Sequence, residues 1–184
     1  MRTIASLAIL LLAVVTSAAA QDHLTSPYRQ QAETGLRGLG AKEIAELRAG
    51  TGMGLARAAE LNGYPGPSHL LDAVKAGQFQ ASPEQVRRVQ EIFDGMKSNA
   101  QRVGAQIIDE EARLEAAFHG ATITETDLRS RVARIATLQG ELRVIHLGAH
   151  LVTSAILSDV QVARYNELRG YTTHQPNHEP SHKH

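Results

Sequence analysis

Two histidines four residues apart, His146 and His150, are the residues whose spacing most favours chemistry. If this stretch is helical, both imidazoles project from one face, which is how a single helix supplies two metal ligands. A preceding helix folded against them would bring Met96 and the carboxylates of residues 91–94 within reach. One interpretation is therefore a metal site with His146, His150 and Met96 as ligands. The other is that both histidines are partly exposed polar residues beside an apolar face.

A second group of histidines lies at the C-terminus, where residues 172–184 are polar, contain proline and are predicted to be disordered. Its four imidazoles belong to His174, His178, His182 and His184. Histidine-rich tracts of exported proteins bind metals, and this one would bind Zn, Ni or Cu loosely and exchange it quickly. The alternative is the remnant of a purification tag, against which the uneven spacing argues.

The first 20 residues are typical of a secretory signal peptide. They contain a basic residue, Arg2, an apolar run over residues 4–15 and an Ala-x-Ala sequence that ends at Ala20. The apolar run is too short to span a bilayer. We therefore expect cleavage after Ala20 and a periplasmic protein; an uncleaved N-terminal anchor is the alternative.

Cleavage after Ala20 would create a third candidate metal site at the new N-terminus, formed by Gln21, Asp22 and His23. The free amine, two deprotonated backbone amides and the imidazole would form a square plane, which Cu(II) and Ni(II) prefer. Cleavage at another bond, or cyclisation of Gln21, would remove this site. The two remaining histidines, His69 and His119, are expected to be solvated.

Composition argues against several classes of protein. The chain contains no cysteine, so disulfides do not stabilise it despite the oxidising compartment that is predicted. Lys and Arg number 19 and so do Asp and Glu, and this zero net charge gives no attraction to nucleic acid or to an anionic membrane. The sequence has neither a Cys nucleophile nor a glycine-rich phosphate loop after a strand, so we expect no enzyme.

Apolar residues at alternating spacings of three and four predict an all-α fold built on a long antiparallel helical hairpin with shorter flanking helices. Its two helices cover residues 82–118 and 124–156, with Val132 and Val152 on the apolar face of the second. A helix over residues 42–62 contains three glycines at 50, 52 and 54, which indicate a kink or break, or close approach of another backbone across a dimer. The helical domain is predicted over residues 42–171, after a flexible segment over 21–41.

Two helix starts have the same sequence pattern. Ser82 is followed three residues later by Gln85, and Ser158 is followed three residues later by Gln161. Each is predicted to form a capping box, in which the serine hydroxyl accepts from a backbone N–H of the helix and the glutamine side chain accepts from the N–H of the serine.

Two such boxes in an exported helical chain resemble the Leu-Thr-x-x-Gln repeats of the Spy/CpxP-like periplasmic proteins. Serine replaces threonine in both copies, and Ala81 replaces leucine in the first. The resemblance covers roughly residues 40–171. It implies a homodimeric envelope-stress protein that binds unfolded periplasmic proteins without ATP and also binds a transition metal. Its alternatives are a dedicated heavy-metal sensor or resistance protein, and a regulatory module that docks on the periplasmic domain of a sensor kinase.

Overall fold

The computed structural model of the chain describes residues 26, 28–29 and 36–171. The predicted signal peptide, the N-terminal candidate ligands Gln21, Asp22 and His23, and the tail with His174, His178, His182 and His184 lie outside the described residues. The chain divides into two units, residues 1–35 and 36–184, and every described helix belongs to the second.

Every secondary-structure element in the described residues is helical, which confirms the predicted all-α class. None of the described helices is long and apolar enough to cross a membrane. The helices are α1 (Ala41–Ala49), α2 (Arg57–Glu60), α3 (Pro67–Lys75), α4 (Pro83–His119), α5 (Glu125–Ser154) and α6 (Asp159–Leu168).

The two long helices, α4 with 37 residues and α5 with 30, begin where the sequence places them. Ser82 is the N-cap of α4, and Thr124 is the N-cap of α5, where its side chain accepts from the N–H of Asp127. Arg102 in α4 forms an ion pair with Glu141 in α5 (3.1 Å). Gln85, near the start of α4, donates a hydrogen bond to the carbonyl oxygen of Ile156, which follows α5 (3.1 Å).

The core of the described region consists of two hydrophobic clusters. The larger joins α1, α4 and α5, and the smaller joins α3, α4 and α6, with Tyr165 as its largest side chain. The buried members of the larger cluster are Leu39, Leu47, Ala100, Val103, Ile107, Leu138 and Leu142. Two residues predicted on the apolar face of α5 are instead half exposed, Val132 at 49% and Val152 at 50%. Both lie at the edge of that face, beyond the line that Leu138 and Leu142 follow toward α4.

The predicted helix over residues 42–62 is broken, as its glycines indicated. Helix α1 ends at Gly50, which has a left-handed backbone (φ 67°), and α2 is only four residues long. A Cβ on Gly50 would lie 2.8 Å from the carbonyl oxygen of Lys97, so the backbone of α4 approaches this glycine closely. Gly104 of α4 also allows α1 and α4 to pack closely, because a Cβ at this position would collide with the carbonyl oxygen of Leu47.

Both predicted capping boxes are present. In the first, the N–H of Ser82 donates to Gln85 Oε1 (2.9 Å) and the N–H of Gln85 donates to Ser82 Oγ (3.1 Å). In the second, the same bonds join Ser158 and Gln161, at 3.0 and 3.3 Å. Each box satisfies helix-end donors that have no intrahelical acceptor.

The two boxes are also bonded to each other through their glutamine amides. Gln85 Nε2 donates to Gln161 Oε1 (2.9 Å), and Gln161 Nε2 donates to Gln85 Oε1 (3.1 Å). Each Nε2 makes a second bond to the backbone of the other box, to the carbonyl oxygens of Ile156 and Gln80 respectively (both 3.1 Å). Since each acceptor lies two residues before its own cap serine, the arrangement has local two-fold symmetry. It requires an amide, which can donate and accept, rather than a carboxylate.

Replacing Gln85 by glutamate is expected to destabilise the protein, although glutamate suits an isolated capping box. The carboxylate cannot donate to Gln161 or Ile156, which leaves part-buried acceptors unpaired, and we expect a loss of about 2 kcal/mol in the free energy of unfolding. Urea unfolding followed by circular dichroism measures it. Gln139→Glu, at an exposed site on α5, is the matched control and should change stability by less than about 0.5 kcal/mol. Equal effects of the two substitutions would contradict the role of the amide pair.

Two glycines in the same helix are expected to respond to alanine with opposite signs. Gly104→Ala should destabilise by about 2 kcal/mol, because the new methyl group overpacks the contact with Leu47. Gly95→Ala should stabilise by up to about 1 kcal/mol, because a Cβ there meets nothing within 4 Å and alanine is the better helix former. The same urea titration compares both. A stabilising Gly104→Ala would show that α1 does not pack against α4 as described.

Candidate functional site

A buried carboxylate, Glu60, joins the short helix α2 to the C-terminal part of the domain. It is 9% exposed. Its oxygens accept from the hydroxyl of Tyr165 (3.0 and 3.2 Å), from Arg169 Nε (2.9 Å) and from the hydroxyl of Tyr171 (3.2 Å). A buried carboxylate is tolerated only when it is paired and hydrogen-bonded, and here one cation and two hydroxyl donors meet that requirement.

Tyr165 connects this carboxylate to the start of α3. Its hydroxyl donates to Glu60 and accepts from the N–H of Gly66 (3.2 Å). Burial raises the pKa of Tyr165 well above its ordinary value, and the charge of Glu60 raises it further. The hydroxyl therefore keeps its proton at any physiological pH and remains a donor to the carboxylate.

His150 faces this network, whereas the sequence placed the carboxylates of residues 91–94 within reach of the histidine pair. Its Nδ1 lies 2.8 Å from the carbonyl oxygen of Tyr64 and 3.6 Å from Glu60 Oε2. Because a carbonyl oxygen only accepts, Nδ1 carries the hydrogen and the lone pair of the neutral ring lies on Nε2. The ring packs against Gly66, where a Cβ would lie 2.8 Å from its Cε1 atom. Glycine at this position is what allows the imidazole to sit there.

His146 is oriented differently from its predicted partner. It is 2% exposed, so it is not the partly exposed residue of the alternative interpretation, and its Nε2 has no hydrogen-bond partner among the described residues. Burial lowers the pKa of His146, and proximity to His150 lowers it further. His150, in contrast, lies beside Glu60, so the two histidines of the predicted pair have different surroundings.

Among the described residues, no group of three or more His, Asp or Glu side chains is placed to hold a metal ion. The residues that the sequence did not predict at this site are Glu60, Tyr165, Arg169 and Tyr171. The only local signal for them is the turn sequence after Glu60, Asn-Gly-Tyr-Pro-Gly-Pro. That signal places a turn, but it does not show which side chains the turn brings together.

Two open grooves lie beside this network along residues 52–62. The first has a volume of about 570 Å³, and the second about 450 Å³. Met53, Gly54, Arg57 and Leu61 line both grooves. Glu60, His69, His150 and Tyr171 line the first groove alone, whereas Leu55, Ala58 and Arg143 line the second alone.

Exposed apolar side chains occur in the lining of the second groove and on α5, the helix that contributes Arg143 to that lining. Leu61, at 60% exposure, is part of the lining. Val144 (68%) and Leu151 (61%) are seven residues apart, on one side of α5. Exposed apolar residues that occur singly are ordinary, but a groove with an exposed leucine in its lining and exposed apolar residues on the adjoining helix favours a binding surface.

No protein-family model, curated protein or solved structure matches the chain. The function is therefore inferred from the residues and contacts described above.

The buried imidazole of His146 is expected to make the protein less stable in acid. Its pKa is lowered on folding, so the unfolded chain binds the proton more readily and stability falls as the pH drops below the ordinary value of 6.5. One such group contributes a slope of at most about 1.4 kcal/mol per pH unit. Urea unfolding at pH 7.5, 6.5 and 5.5 should show a smaller acid loss for His146→Leu than for the unmodified protein.

His69→Leu, which changes an exposed histidine, is the control for that experiment and should leave the slope unchanged. An identical slope in all three proteins would mean that His146 takes up its proton equally well in the folded state.

Proposed function

We propose that this chain is a periplasmic, ATP-independent client-binding protein of the Spy/CpxP-like class, without enzymatic activity. In this proposal residues 1–20 direct export, α4 and α5 form the antiparallel hairpin of that class, and the protein acts as a homodimer in envelope stress. The presence of both Ser-x-x-Gln boxes at helix starts supports the class. The hydrogen bonds between the two boxes explain why the pattern occurs twice, because the side-chain amide of each glutamine bonds to the glutamine of the other box.

The observation that carries the client-binding proposal is the second groove with its exposed apolar neighbours. Unfolded proteins expose apolar segments of varied sequence, so a surface that binds them needs adaptable apolar groups. Met53 supplies an unbranched, flexible side chain in the groove, and Leu61 supplies an exposed one. Arg57 and Arg143 add positive charge that attracts acidic segments of a client, although the whole chain is neutral.

Replacing Leu61 and Val144, two exposed apolar residues of this surface, should weaken protection of a client against aggregation. We expect the double variant Leu61→Ser/Val144→Ser to need at least twice the concentration of the unmodified protein to halve the light scattering of reduced α-lactalbumin. The assay contains EDTA, so that bound metal does not contribute. Both side chains are more than half exposed, so their loss should leave the free energy of unfolding within about 0.5 kcal/mol of its original value.

The control is Val160→Ser, which removes an apolar side chain that is 79% exposed and does not line either groove. It should protect the client as well as the unmodified protein does. Equal protection by all three proteins would assign client binding to another surface, and no protection by any of them would remove the client-binding proposal.

A second function, transition-metal binding, is supported by the geometry of His150. Histidines that bind metals commonly donate their other ring N–H to a backbone carbonyl or a carboxylate, which fixes the tautomer and the ring orientation. His150 has that arrangement, with Nδ1 directed at the Tyr64 carbonyl oxygen and close to Glu60. Zn, Ni and Cu all accept imidazole nitrogen, so this geometry does not distinguish among them.

A further inference from the structure

The second half of α5 is apolar on the side that faces away from the core. On this outward side, Val144 and Leu151 are each more than half exposed, and residues 144–158 contain no Asp, Glu, Lys or Arg. A helix that is apolar on both sides is expected to be covered on both, and depletion of charged residues is typical of the centre of a protein interface. The buried residues of α5 lie along its other side: Ile135, Leu138, Leu142, His146, Ala149 and Thr153.

Two glycines on the outward side leave room for another helix. A Cβ built at Gly140 or Gly148 would meet nothing within 4 Å, so no contact within the described residues requires glycine at either position. Glycine is also a poor helix former. What it permits is the close approach of another backbone. The outward side of α5 therefore combines exposed apolar side chains with positions at which a second helix can lie close.

We propose that a second copy of this chain packs on the outward side of α5, antiparallel to it, about a two-fold axis that passes between residues 147 and 148. This inference names the interface of the homodimer proposed above and rests on that proposal. Val144 of each copy lies level with Leu151 of the other, and Gly140 lies level with Ala155, the C-cap of α5. An interface of this symmetry buries the same patch on both copies.

The side chains around this axis are compatible with their symmetric counterparts. Val144 and Leu151 form two apolar contacts, one on each side of the axis. Next to the axis, the two copies of Leu147 meet on one flank of the helix pair, and the two copies of Gly148 let the backbones approach on the other. Because residues 144–158 include no charged side chain, no charge in this part of the face meets its own copy.

Charge also favours the antiparallel arrangement. Arg143 is exposed, and none of the ion pairs among the described residues includes it. In the antiparallel pair it lies at the level of the last turn of α5 in the other copy, which contains no basic residue of its own. Carbonyl groups at a helix C-terminus carry partial negative charge, so each copy supplies a cation to the helix end of the other. A parallel pair would instead bring the two copies of Arg143 to the same level, where like charges repel.

The dimer places the two client-binding grooves on one side. Arg143 lines the second groove. Rotation about a two-fold axis perpendicular to both helices leaves corresponding flanks of α5 on the same side of the pair. The second grooves of both copies therefore open on that side, each with one Leu61 in its lining. In this dimer Val144 supports client binding by holding the two grooves together.

The expected dimer is weak, because the contact is short. It covers residues 140–155, which is about 22 Å of helix at about 1.5 Å per residue. A strip of this length buries less than the roughly 800 Å² per partner of a standard interface, so we expect a dissociation constant in the micromolar range.

Sedimentation equilibrium of the chain without residues 1–20, in EDTA so that no metal bridges two copies, tests the interface. Val144→Glu places a carboxylate against Leu151 of the other copy, and Leu151→Arg places a guanidinium against Val144. Each should raise the dissociation constant at least about tenfold, because a charge is buried against an apolar side chain. The double variant sets the new carboxylate of each copy level with the new guanidinium of the other, and should return the dissociation constant to within about threefold of its original value.

The control is Val160→Glu, because Val160 is 79% exposed and lies on α6, outside this face. It should dimerise as the unmodified chain does. All three substituted side chains are more than half exposed, so the variants should remain folded, which circular dichroism checks.

The results separate this interface from the homodimer itself. A chain that stays monomeric at millimolar concentration would remove both. A dimer that is unaffected by Val144→Glu and by Leu151→Arg would keep the homodimer but place its interface elsewhere. Weakening by both single variants without recovery in the double variant would overturn the antiparallel register. Client binding is judged independently, by the light scattering of reduced α-lactalbumin.

Disulfide formation gives a readout that does not depend on affinity. The chain contains no cysteine, so single cysteines can be introduced without competing thiols. Chains with Val144→Cys, mixed with chains with Leu151→Cys, should form disulfides mainly between the two kinds. The two copies of position 144 lie about 10 Å apart along the helix axis, which is beyond the reach of a disulfide. Disulfides that form mainly within one kind would contradict the antiparallel register.

Discussion

The reciprocal hydrogen bonds between the side-chain amides of Gln85 and Gln161 hold together the helix ends on which the rest of the described structure depends. One glutamine belongs to the start of α4 and the other to the start of α6, and each also bonds the backbone before the other helix. A single capping box stabilises its own helix by about 1 kcal/mol. Two boxes that share their amides also fix where α6 lies relative to α4. Helix α5 ends just before this point, so the same bonds help to set its register.

The position of α6 determines the candidate site. Tyr165 lies on α6 and Arg169 is the C-cap of that helix; with Tyr171 they supply the bonds that allow Glu60 to be buried. Removal of α6 would leave a carboxylate without its cation, which is far more costly than loss of an exposed ion pair. Glu60 in turn stands beside His150, and the Tyr64 carbonyl that fixes the His150 tautomer belongs to the same segment. The helix caps and the site are therefore connected by a continuous set of bonds.

Rules that relate residues a few positions apart in sequence were sufficient to predict where helices begin, but they did not predict the candidate site. The N-caps Ser82, Thr124 and Ser158 follow from side-chain chemistry within three residues, and the structure confirms all three. The break at Gly50 follows from glycine content, although only the structure shows that α4 is the backbone that approaches. Glu60 and Tyr165 are 105 residues apart in sequence. No periodicity or spacing relates such a pair, because their contact depends on how a segment without a regular apolar pattern packs.

Sequence rules also failed to predict the surroundings of His146 and His150, although these residues are only four positions apart. A spacing of four residues places two side chains on one face of a helix, but α5 is covered by different elements across that face. His146 is buried, while His150, one helical turn later, meets residues 60–66. Which of the two remains available to a ligand is decided by the path of that segment after the glycine break. The prediction of both as one pair assumed that α4 alone would cover the face.

The two proposed functions are coupled through the residues that they share. Met53 and Leu61 line both grooves and His150 lines the first, so an ion bound at His150 would alter the surface that a client meets at the second groove. Linkage requires the effect to be reciprocal: if bound metal weakens client binding by some factor, bound client weakens metal binding by the same factor. Residues 52–62 would carry this effect between the two ligands, because they contribute to the lining of both grooves.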